Sequence, residues 1–212
     1  MSNRLVVTGT DTGIGKTIFS AALARALRAS YWKPVQAGLE GETDSQTVAR
    51  LSGQPVLPEA YRLTLPASPH LAAKAEGRRI EPARLALPAV SGPLVVEGAG
   101  GVMVPLNREL LFLDVFVRWD APVILCARTV LGTINHSLLS LAALRDRGCT
   151  VLGIVFLGDA NPEVEATISD FGQCHNLGRL PFLPALNATT LARAFAEGFD
   201  RSAFLPMNGS PP

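Results

Sequence analysis

A glycine-rich segment that ends in Lys16 and Thr17 is the strongest chemical signal in the chain. Residues 9–17 read Gly-Thr-Asp-Thr-Gly-Ile-Gly-Lys-Thr, after the apolar run 5–8 and before a segment with helical spacing. A strand, a glycine-rich turn and a helix in this order are what a phosphate-binding loop requires. The glycines let backbone N–H groups turn toward phosphate oxygens, and the first turn of the helix adds its unpaired N–H groups. The segment therefore predicts a nucleoside triphosphate site.

Residue types within this loop indicate its chemistry. Lys16 is expected to reach the β- and γ-phosphates, and the Thr17 hydroxyl is expected to join a Mg²⁺ shell. Five residues separate Gly9 from Gly15, where the usual loop has about four, so the loop is a variant. The alternative, an ordinary glycine-rich turn with an exposed lysine, is disfavoured by the flanking strand and helix. The loop residues predicted to bind the nucleotide are Asp11, Thr12, Gly13, Ile14, Gly15, Lys16 and Thr17.

A second lysine and two carboxylates follow at positions that favour the same edge of a sheet. Lys33 belongs to a predicted second strand over residues 31–38, and Glu97 closes an apolar strand. In open α/β sheets, ligands bind outside the carboxyl ends of the strands, so both side chains are expected beside the phosphate loop. A solvated lysine at a strand end is the alternative for Lys33. Asp44 begins a predicted helix, where its carboxylate would either bind a metal ion or cap the helix.

These residue types predict phosphoryl chemistry. Mg²⁺ prefers oxygen ligands, so Thr17, Asp44 and Glu97 are the predicted metal site. The predicted catalytic residues are Lys33, Lys16 and Thr12, and the two lysines would stabilise the charge that builds on phosphoryl oxygens. Asp44, Glu97 and the following Gly98, Ala99 and Gly100 complete the predicted nucleotide site.

The order of apolar runs and helical segments predicts the fold class. Apolar runs without alternation at residues 5–8, 94–97, 122–127 and 151–157 are typical of parallel strands that are covered on both faces. Helical spacing follows at residues 17–29, 44–51, 133–147 and 162–171. The alternation predicts an α/β fold with a doubly wound, mainly parallel sheet flanked by helices, of the P-loop NTPase type. We expect a single domain over residues 1–205, loops and short helices over residues 53–91, and a flexible tail at residues 206–212.

Net charge, cysteine spacing and the length of the apolar runs indicate which kinds of partner this chain can bind. A net charge of +1 gives no broad basic field for nucleic acid or anionic lipid, so small molecules are the expected partners. Three widely spaced cysteines without a Cys-x-x-Cys pair disfavour a disulfide framework or a zinc site. The apolar runs fall short of the ~20 residues that span a bilayer. We expect a cytoplasmic protein with no membrane partner.

Further segments occur in an order and spacing that resemble dethiobiotin synthetases, ATP-dependent ligases that close the ureido ring on the way to biotin. The segments are the loop at residues 9–17, Trp-Lys-Pro-Val-Gln at 32–36 with Gly38, Asp-Ser at 44–45, Ser-Pro-His-Leu-Ala-Ala at 68–73, Val-Glu-Gly-Ala-Gly-Gly at 96–101 and Leu-Gly-Thr-Ile-Asn-His at 131–136. The resemblance implies ATP with Mg²⁺, the substrates 7,8-diaminononanoate and CO₂, a substrate carbamate, a carbamic-phosphoric anhydride, and a homodimer with composite active sites.

The resemblance also assigns residues beyond the phosphate loop. It implies that the base is held by Gly158, Pro181, Phe182 and Leu183, and that a helix start of the partner subunit receives the substrate carboxylate. An ordinary helix cap by Thr133 is the alternative for that helix start. The residues implied for substrate binding are Lys33, Ala37, Gly101, Val102, Pro105, Leu131, Gly132, Thr133 and Asn135.

Two positions depart from the family pattern. Ala37 stands where members usually have a Ser or Thr hydroxyl, whose loss costs about 0.5–1.5 kcal/mol. Leu157 and Gly158 stand where well-known members have Asn and Asp to read adenine, which leaves the choice of base open. A P-loop switch or partitioning ATPase is the alternative class of function. A related carboxylate- or amide-forming domain is disfavoured because 212 residues leave no room for a second, glutamine-amidotransferase domain.

Overall fold

Seven parallel strands form the central sheet of the computed structural model, which describes residues 4–205. The predicted tail at residues 206–212 lies outside that range. The strands are β1 Arg4–Gly9, β2 Ser30–Trp32, β3 Val35–Ala37, β4 Val56–Leu57, β5 Tyr61–Leu63, β6 Leu94–Glu97, β7 Val123–Arg128, β8 Val151–Leu157 and β9 Asn176–Leu180. The central sheet has the order β4-β2-β6-β1-β7-β8-β9, and β3 pairs with β5 in a small second sheet.

Helices cover both faces of the central sheet. They are α1 Lys16–Leu27, α2 Asp44–Ser52, α3 Pro69–Ala75, α4 Phe112–Trp119, α5 Thr133–Asp146, α6 Pro162–Gly172 and α7 Ala188–Gly198, with 3₁₀ turns at Pro82–Leu85 and Arg201–Phe204. Val7 and Val95 pack in the core layer that includes α1 and α7, whereas Val6 and Val96 pack in the layer that includes α4 and α5. Neighbouring residues of one strand thus point to opposite layers, and both layers are apolar. The predicted doubly wound α/β class is confirmed.

The prediction of one strand over residues 31–38 is wrong. The chain pairs with β6 only as far as Trp32, and Val35 begins a strand of the second sheet. Pro34 stands at this break, and a proline has no N–H group with which to continue a ladder. Lys33 therefore still follows the carboxyl end of a strand, but that strand is β2.

The proline-rich stretch over residues 53–91 contains more than the predicted loops and short helices. It includes α3 and a 3₁₀ turn, but β4 adds an edge to the central sheet and β5 pairs with β3. The pattern also failed to predict β9, which reads Asn-Leu-Gly-Arg-Leu. An edge strand with a glycine and two polar residues has no apolar run to mark it. Within residues 4–205, no helix combines the length and apolar character needed to cross a membrane.

Gly178 tests how β9 is held against the end of α7. Its φ is +126°, and a Cβ there would lie 2.1 Å from the carbonyl oxygen of Gly198 and 2.7 Å from Phe199. We expect Gly178→Ala to lower the free energy of unfolding by about 2–4 kcal/mol, because strain and overpacking add. Urea denaturation measures this loss. Gly77→Ala is the matched control, since Gly77 also has a positive φ but nothing lies within 4 Å of its added Cβ. Equal losses in the two variants would contradict the packing argument.

Candidate active site

The phosphate loop joins β1 to α1, and hydrogen bonds from Lys16 and Arg128 hold its backbone in place. Gly15 has a φ of 104° and stands as the N-cap of α1, which directs the first N–H groups of the helix into the loop. The Lys16 ammonium folds back and donates to the Asp11 carbonyl oxygen at 2.6 Å. Arg128, from the end of β7, donates to the Gly13 carbonyl oxygen at 2.6 Å. The loop is thus preformed, and Lys16 has only a neutral carbonyl to leave when a phosphate oxygen arrives.

Lys33 is the centre of a buried cluster of charges. Its Nζ lies 2.5 Å from Asp44 Oδ2 and 2.8 Å from Glu97 Oε1. Thr17 Oγ1, at the start of α1, lies 2.9 Å from Asp44 Oδ1 and 3.0 Å from Glu97 Oε1. The side chains of Lys33 and Glu97 are 5% and 1% exposed, while that of Asp44 is 33% exposed. Four residues that are distant in sequence therefore form one contact network, and the solvated-lysine alternative for Lys33 is wrong.

Asp44 is free to join this cluster because another residue caps its helix. The Thr43 hydroxyl accepts from the Gln46 N–H at 3.4 Å, and the Gln46 side chain accepts from the Thr43 N–H at 2.8 Å. This reciprocal pair is a capping box, which satisfies the exposed N–H groups at a helix start. The Gln36 side-chain oxygen also accepts from the Asp44 N–H at 3.2 Å. The proposal that the Asp44 carboxylate serves only as a helix cap is therefore wrong.

The pKa shifts indicate which charges the site holds. Burial alone would lower the pKa of Lys33, but its attraction to Glu97 and Asp44 outweighs burial, so the pKa is raised. Partial burial would raise the pKa of Asp44, but Lys33 and the hydrogen bond from Thr17 hold it below its ordinary value. Burial lowers the pKa of Lys16, and the Lys33 charge adds to that effect while Glu97 opposes it. Lys33 is therefore a fixed cation at neutral pH and not a general base.

The donor atoms fit a hard divalent cation. Thr17 Oγ1 has one proton and lies within 3.0 Å of an oxygen of both Asp44 and Glu97, so it can donate to only one of them at a time. The other contact brings a hydroxyl lone pair toward a carboxylate, which a bound cation would stabilise. Oxygen ligands of this kind are those that Mg²⁺ prefers. Within residues 4–205, no group of three or more His, Cys, Asp or Glu side chains is arranged for a metal. Water and phosphate oxygens would complete the shell.

Two cavities flank the phosphate loop, each of about 430 Å³. We call the first the lysine cavity; it is lined by Thr12, Lys33, Gln36, Ala37, Asp44, Pro66, Ala67, Ser68, Pro69, Ala99, Gly100 and Val104. We call the second the α5 cavity; it is lined by Thr10, Asp11, Thr12, Gly101, Val102, Met103, Val104, His136, Leu139, Ser140 and Ala143. Thr12 and Val104 line both, so the cavities meet beside the loop. The predicted site residues that line the lysine cavity are Thr12, Lys33, Ala37, Asp44, Ala99 and Gly100. Those that line the α5 cavity are Asp11, Thr12, Gly101 and Val102.

A third cavity, of about 200 Å³, lies at the other end of the loop. We call it the base cavity; it is lined by Ile14, Gly15, Ile18, Leu157, Gly158, Leu180, Pro181, Phe182, Leu183 and Leu186. Every lining residue is a glycine or has an apolar side chain. The cavity lies between the phosphate loop and the residues that were predicted to hold the base. A hydrogen bond between the Gly158 backbone and the base is disfavoured, because both backbone groups of Gly158 already have partners. Its N–H donates to the Leu180 carbonyl oxygen at 2.9 Å, and its carbonyl oxygen accepts from Arg179 at 3.2 Å.

The segment predicted to receive the substrate carboxylate stands apart from these cavities. Leu131, Gly132, Thr133 and Asn135 line none of the three, and neither does Pro105. Thr133 is not a helix cap, because Gly132 holds the cap position and the Thr133 hydroxyl donates to the Arg128 carbonyl oxygen at 2.7 Å. In the first turn of α5, the Thr133 N–H already donates to the Val130 carbonyl oxygen at 3.2 Å. The N–H groups of Ile134 and Asn135 follow, and they have no carbonyl one turn earlier within the helix.

Several residues of the site were not predicted. Gln36 lies in a quoted motif, but its hydrogen bond to the start of α2 depends on tertiary contact. Residues 66–69 line the lysine cavity although they belong to the irregular stretch. Ile18, Leu180 and Leu186 line the base cavity, and as ordinary apolar residues they carried no sequence signal. Arg128 braces the phosphate loop from a strand end, where a charged residue after the apolar run 123–127 was the available clue.

Solved structures with the same architecture define the class of protein. A ParA family ATPase from Chlorobium tepidum aligns with a TM-score of 0.57 at 12% identity and covers 96% of each chain. The septum site-determining protein MinD in complex with Mg-ADP, from Pyrococcus horikoshii, aligns with a TM-score of 0.57 at 15% identity, covering 98% of this chain and 90% of that one. Identities this low show the fold alone. With the glycine-rich loop between β1 and α1 described above, they define the class of P-loop folds.

Sequence relatives define the family within that class. A family model described as an AAA domain matches residues 3–190. The ATP-dependent dethiobiotin synthetase BioD of Agrobacterium fabrum is 60% identical over 210 residues, which cover 98% of this chain and 99% of the relative. The protein of the same name from Nitrobacter hamburgensis is 61% identical over 208 residues, which cover 97% and 98%. The chain therefore belongs to the family of ATP-dependent dethiobiotin synthetases, and it is a ligase.

Removing the Lys33 charge should destabilise the fold in a pH-dependent way. We expect Lys33→Met to lower the free energy of unfolding by about 3–5 kcal/mol at neutral pH, because Glu97 would be left buried without its cation. The pKa of Lys33 is higher in the fold than in the unfolded chain. Its stabilisation is therefore fully present below the ordinary lysine pKa of about 10.4 and is lost as the pH rises through the folded-state value. Denaturant titrations of both proteins over the alkaline range measure the shrinking difference.

Arg50→Met provides the matched control on the same helix as Asp44. Arg50 pairs with Glu42 at 2.7 Å, but the two side chains are 51% and 42% exposed. Solvent screens such an exposed pair, so this variant should lose little stability. The cluster argument fails if both variants lose the same stability, or if the Lys33→Met difference is unchanged at alkaline pH.

Proposed function

We propose that this chain converts 7,8-diaminononanoate, CO₂ and ATP into dethiobiotin, ADP and phosphate, as a step of biotin biosynthesis. The observation that carries the proposal is the position of Lys33. Its ammonium is fixed by Asp44 and Glu97 beside the phosphate loop, and it also lines the lysine cavity. A cation in that position can contact a carbamate and a γ-phosphate together. The family membership supports the same substrates.

The proposed reaction proceeds in three steps. One substrate amine adds to the carbon of CO₂ and loses a proton to solvent, which gives a carbamate. A carbamate oxygen then attacks the γ-phosphorus, and ADP leaves with the electrons of the broken P–O bond. The second amine attacks the carbon of the resulting carbamic-phosphoric anhydride, loses its proton, and closes the ring as phosphate leaves.

The residues of the site support this chemistry by fixed charge and position. Lys33 stabilises the negative charge of the carbamate and then that of the transferred phosphoryl group, since its raised pKa keeps it protonated. Lys16 exchanges the Asp11 carbonyl for a phosphate oxygen, while N–H groups of the loop and of α1 hold the rest of the triphosphate. Preorganised charge of this kind is the main contribution of a protein to phosphoryl transfer.

The residues that would hold Mg²⁺ are Thr17, Asp44 and Glu97. The Thr17 hydroxyl lies within hydrogen-bond distance of one carboxylate oxygen of Asp44 and one of Glu97. When bound, the ion would neutralise charge on the β- and γ-phosphate oxygens. Asp44 and Glu97 would bind the ion and also remain paired with the Lys33 ammonium. The carboxylates thus orient both the metal and the catalytic cation.

The proposed active site includes a second copy of the chain. The substrate carboxylate would bind N–H groups in the first turn of α5 of the partner subunit, since a helix N-terminus binds carboxylates readily. Exposed apolar side chains near that turn support a subunit contact, namely Val130, Leu131 and Leu139. Leu139 also lines the α5 cavity beside Gly101 and Val102. The resulting homodimer is proposed to act in the cytoplasm on small molecules alone.

The base cavity supports weak selection among nucleobases. Its side chains are apolar, so they can stack on any base but cannot accept or donate a hydrogen bond to a particular one. Gly158 already uses its N–H group within the sheet. An apolar site discriminates by only ~10–200-fold, whereas a hydrogen-bonding site reaches ~10⁴–10⁵-fold. We therefore assign the base to this cavity as a stacking contact.

A direct assay tests the proposed reaction. Purified protein is mixed with diaminononanoate, bicarbonate, ATP and Mg²⁺, and mass spectrometry detects the cyclic urea. We expect the product, and we expect Lys33→Met to lower kcat by about 10²–10³-fold or more, since one charge-stabilising group is removed. Circular dichroism establishes the folded fraction of the variant, and Arg50→Met serves as the active control.

Two outcomes would overturn these assignments separately. ATP hydrolysis by the wild-type protein without the cyclic product would contradict the ligase reaction and would favour the switch or partitioning ATPase. Normal turnover by folded Lys33→Met would leave the reaction in place but would remove Lys33 from the catalytic residues.

The base assignment is tested with three triphosphates. We expect kcat/KM values for ATP, CTP and GTP to agree within about 10²-fold, because apolar cavities discriminate weakly. Phe182→Ala should weaken the binding of all three alike, since stacking on an aromatic ring does not distinguish bases. Ring-closure kinetics at saturating diamine give these values. A preference for ATP of more than ~10⁴-fold would show hydrogen-bond reading of adenine and would contradict the stacking assignment.

A further inference from the structure

A buried tyrosine outside the predicted site touches one of its carboxylates. Tyr31, in β2, is 0% exposed, and its hydroxyl donates to Glu97 Oε2 at 2.9 Å. The other carboxylate oxygen, Oε1, is the one that lies near Lys33 and Thr17. The two oxygens of Glu97 therefore have different neighbours. Oε2 faces the protein interior, whereas Oε1 faces the Lys33 ammonium and the start of α1.

The register of the sheet creates this contact. β2 and β6 are parallel neighbours in which Tyr31 lies opposite Val95. Side chains two residues apart on a strand share a face, so Val95 and Glu97 project to the same side as Tyr31. Tyr31 and Val95 belong to the same core layer, which is also that of α1. Glu97 is thus the diagonal neighbour of Tyr31, at a separation that a long aromatic side chain can cross.

The hydroxyl constrains how Glu97 can sit. A buried carboxylate oxygen without a donor is costly, so Oε2 has a strong preference for the place where Tyr31 can donate to it. Holding Oε2 there sets the rotation of the carboxylate and leaves Oε1 directed at Lys33 and Thr17. Hydrogen bonds to the far side of a ligating group commonly orient it in this way.

We propose that Tyr31 is a positioning residue that holds Glu97 through Oε2, so that Oε1 is presented to the divalent cation at Thr17 and Asp44. The proposal rests on the proposed function in one respect, the use of Glu97 by a metal ion. Tyr31 lines none of the three cavities, and its hydrogen bond to the site is the one to Glu97.

The test is the Mg²⁺ dependence of nucleotide binding in Tyr31→Phe. Mg²⁺ is titrated into protein with ADP or a non-hydrolysable ATP analogue, without diamine or CO₂, and binding is followed by calorimetry. We expect the Mg²⁺ concentration for half-maximal effect to rise about 10–100-fold in Tyr31→Phe, as is typical when an outer partner of a ligand is lost. Nucleotide affinity in EDTA should be unchanged, because the phosphate loop is intact.

Tyr61→Phe is a matched control, since Tyr61 is the other tyrosine of the chain. It is 2% exposed, and its hydroxyl accepts from the Glu81 N–H at 2.8 Å, away from the cluster. This variant also loses a buried hydroxyl, but its Mg²⁺ dependence should match the wild type. In a Glu97→Ala background, Tyr31→Phe should cause no further change, because the group that it positions is gone.

Three results would overturn the proposal. They are a wild-type Mg²⁺ dependence in Tyr31→Phe, an equal loss of nucleotide affinity with Mg²⁺ and with EDTA, and a wild-type protein whose nucleotide binding does not respond to Mg²⁺. The binding assay contains no diamine, so its result is independent of ring closure. A wild-type protein that binds Mg²⁺ and nucleotide but makes no cyclic urea would contradict the ligase proposal and leave the role of Tyr31 standing.

Discussion

The burial of the Lys33 ammonium is the constraint on which the site depends. Removing a charge from water costs several kcal/mol unless opposite charges and hydrogen bonds replace the water. Asp44 and Glu97 supply them, at 2.5 and 2.8 Å. They come from the start of α2 and the end of β6, so the charges meet only when both elements have packed against β2. The fold and this cluster of charges are therefore formed by the same contacts.

The two lysines of the site differ in how firmly they are held. Lys16 donates to one neutral carbonyl oxygen, whereas Lys33 has two carboxylate partners. A carboxylate carries a full negative charge, so it attracts an ammonium more strongly than the dipole of a neutral carbonyl does. An arriving phosphate can therefore displace the partner of Lys16 much more easily than the partners of Lys33. Lys16 is suited to follow the nucleotide, and Lys33 is suited to remain in place and organise the reacting groups.

The ends of the nucleotide site are built on opposite physical principles. The phosphate end uses backbone N–H groups, lysines and oxygen donors around the start of α1, and these groups specify charge and geometry. The base end is lined only by glycines and apolar side chains within the described residues. The base binding proposed for this cavity would draw its free energy from removing a ring from water and from stacking, neither of which depends on the hydrogen-bonding pattern of the base.

Local patterns determined a large part of this molecule. The predicted strands at residues 94–97 and 151–157 agree with β6 and β8, and the loop at residues 9–17 lies between a strand and a helix as expected. These features depend on neighbours in the chain, because apolar runs, glycine conformations and helix starts are governed by residues a few positions apart. The motif residues Lys33, Asp44 and Glu97 were also found, since polar groups at strand ends and helix starts stand out from their surroundings.

Only the tertiary structure decided how those groups are used. It showed that Thr43 caps α2 and leaves Asp44 to Lys33, that Pro34 divides the predicted second strand, and that Tyr31 donates to Glu97. Tyr31 and Glu97 are separated by 66 positions, and their contact arises from the register between β2 and β6. Sequence by itself determined the elements that have a strong local pattern and the side chains that carry charge. Register and packing between distant elements determine which of those charges meet, because a hydrogen bond requires alignment within a few tenths of an ångström.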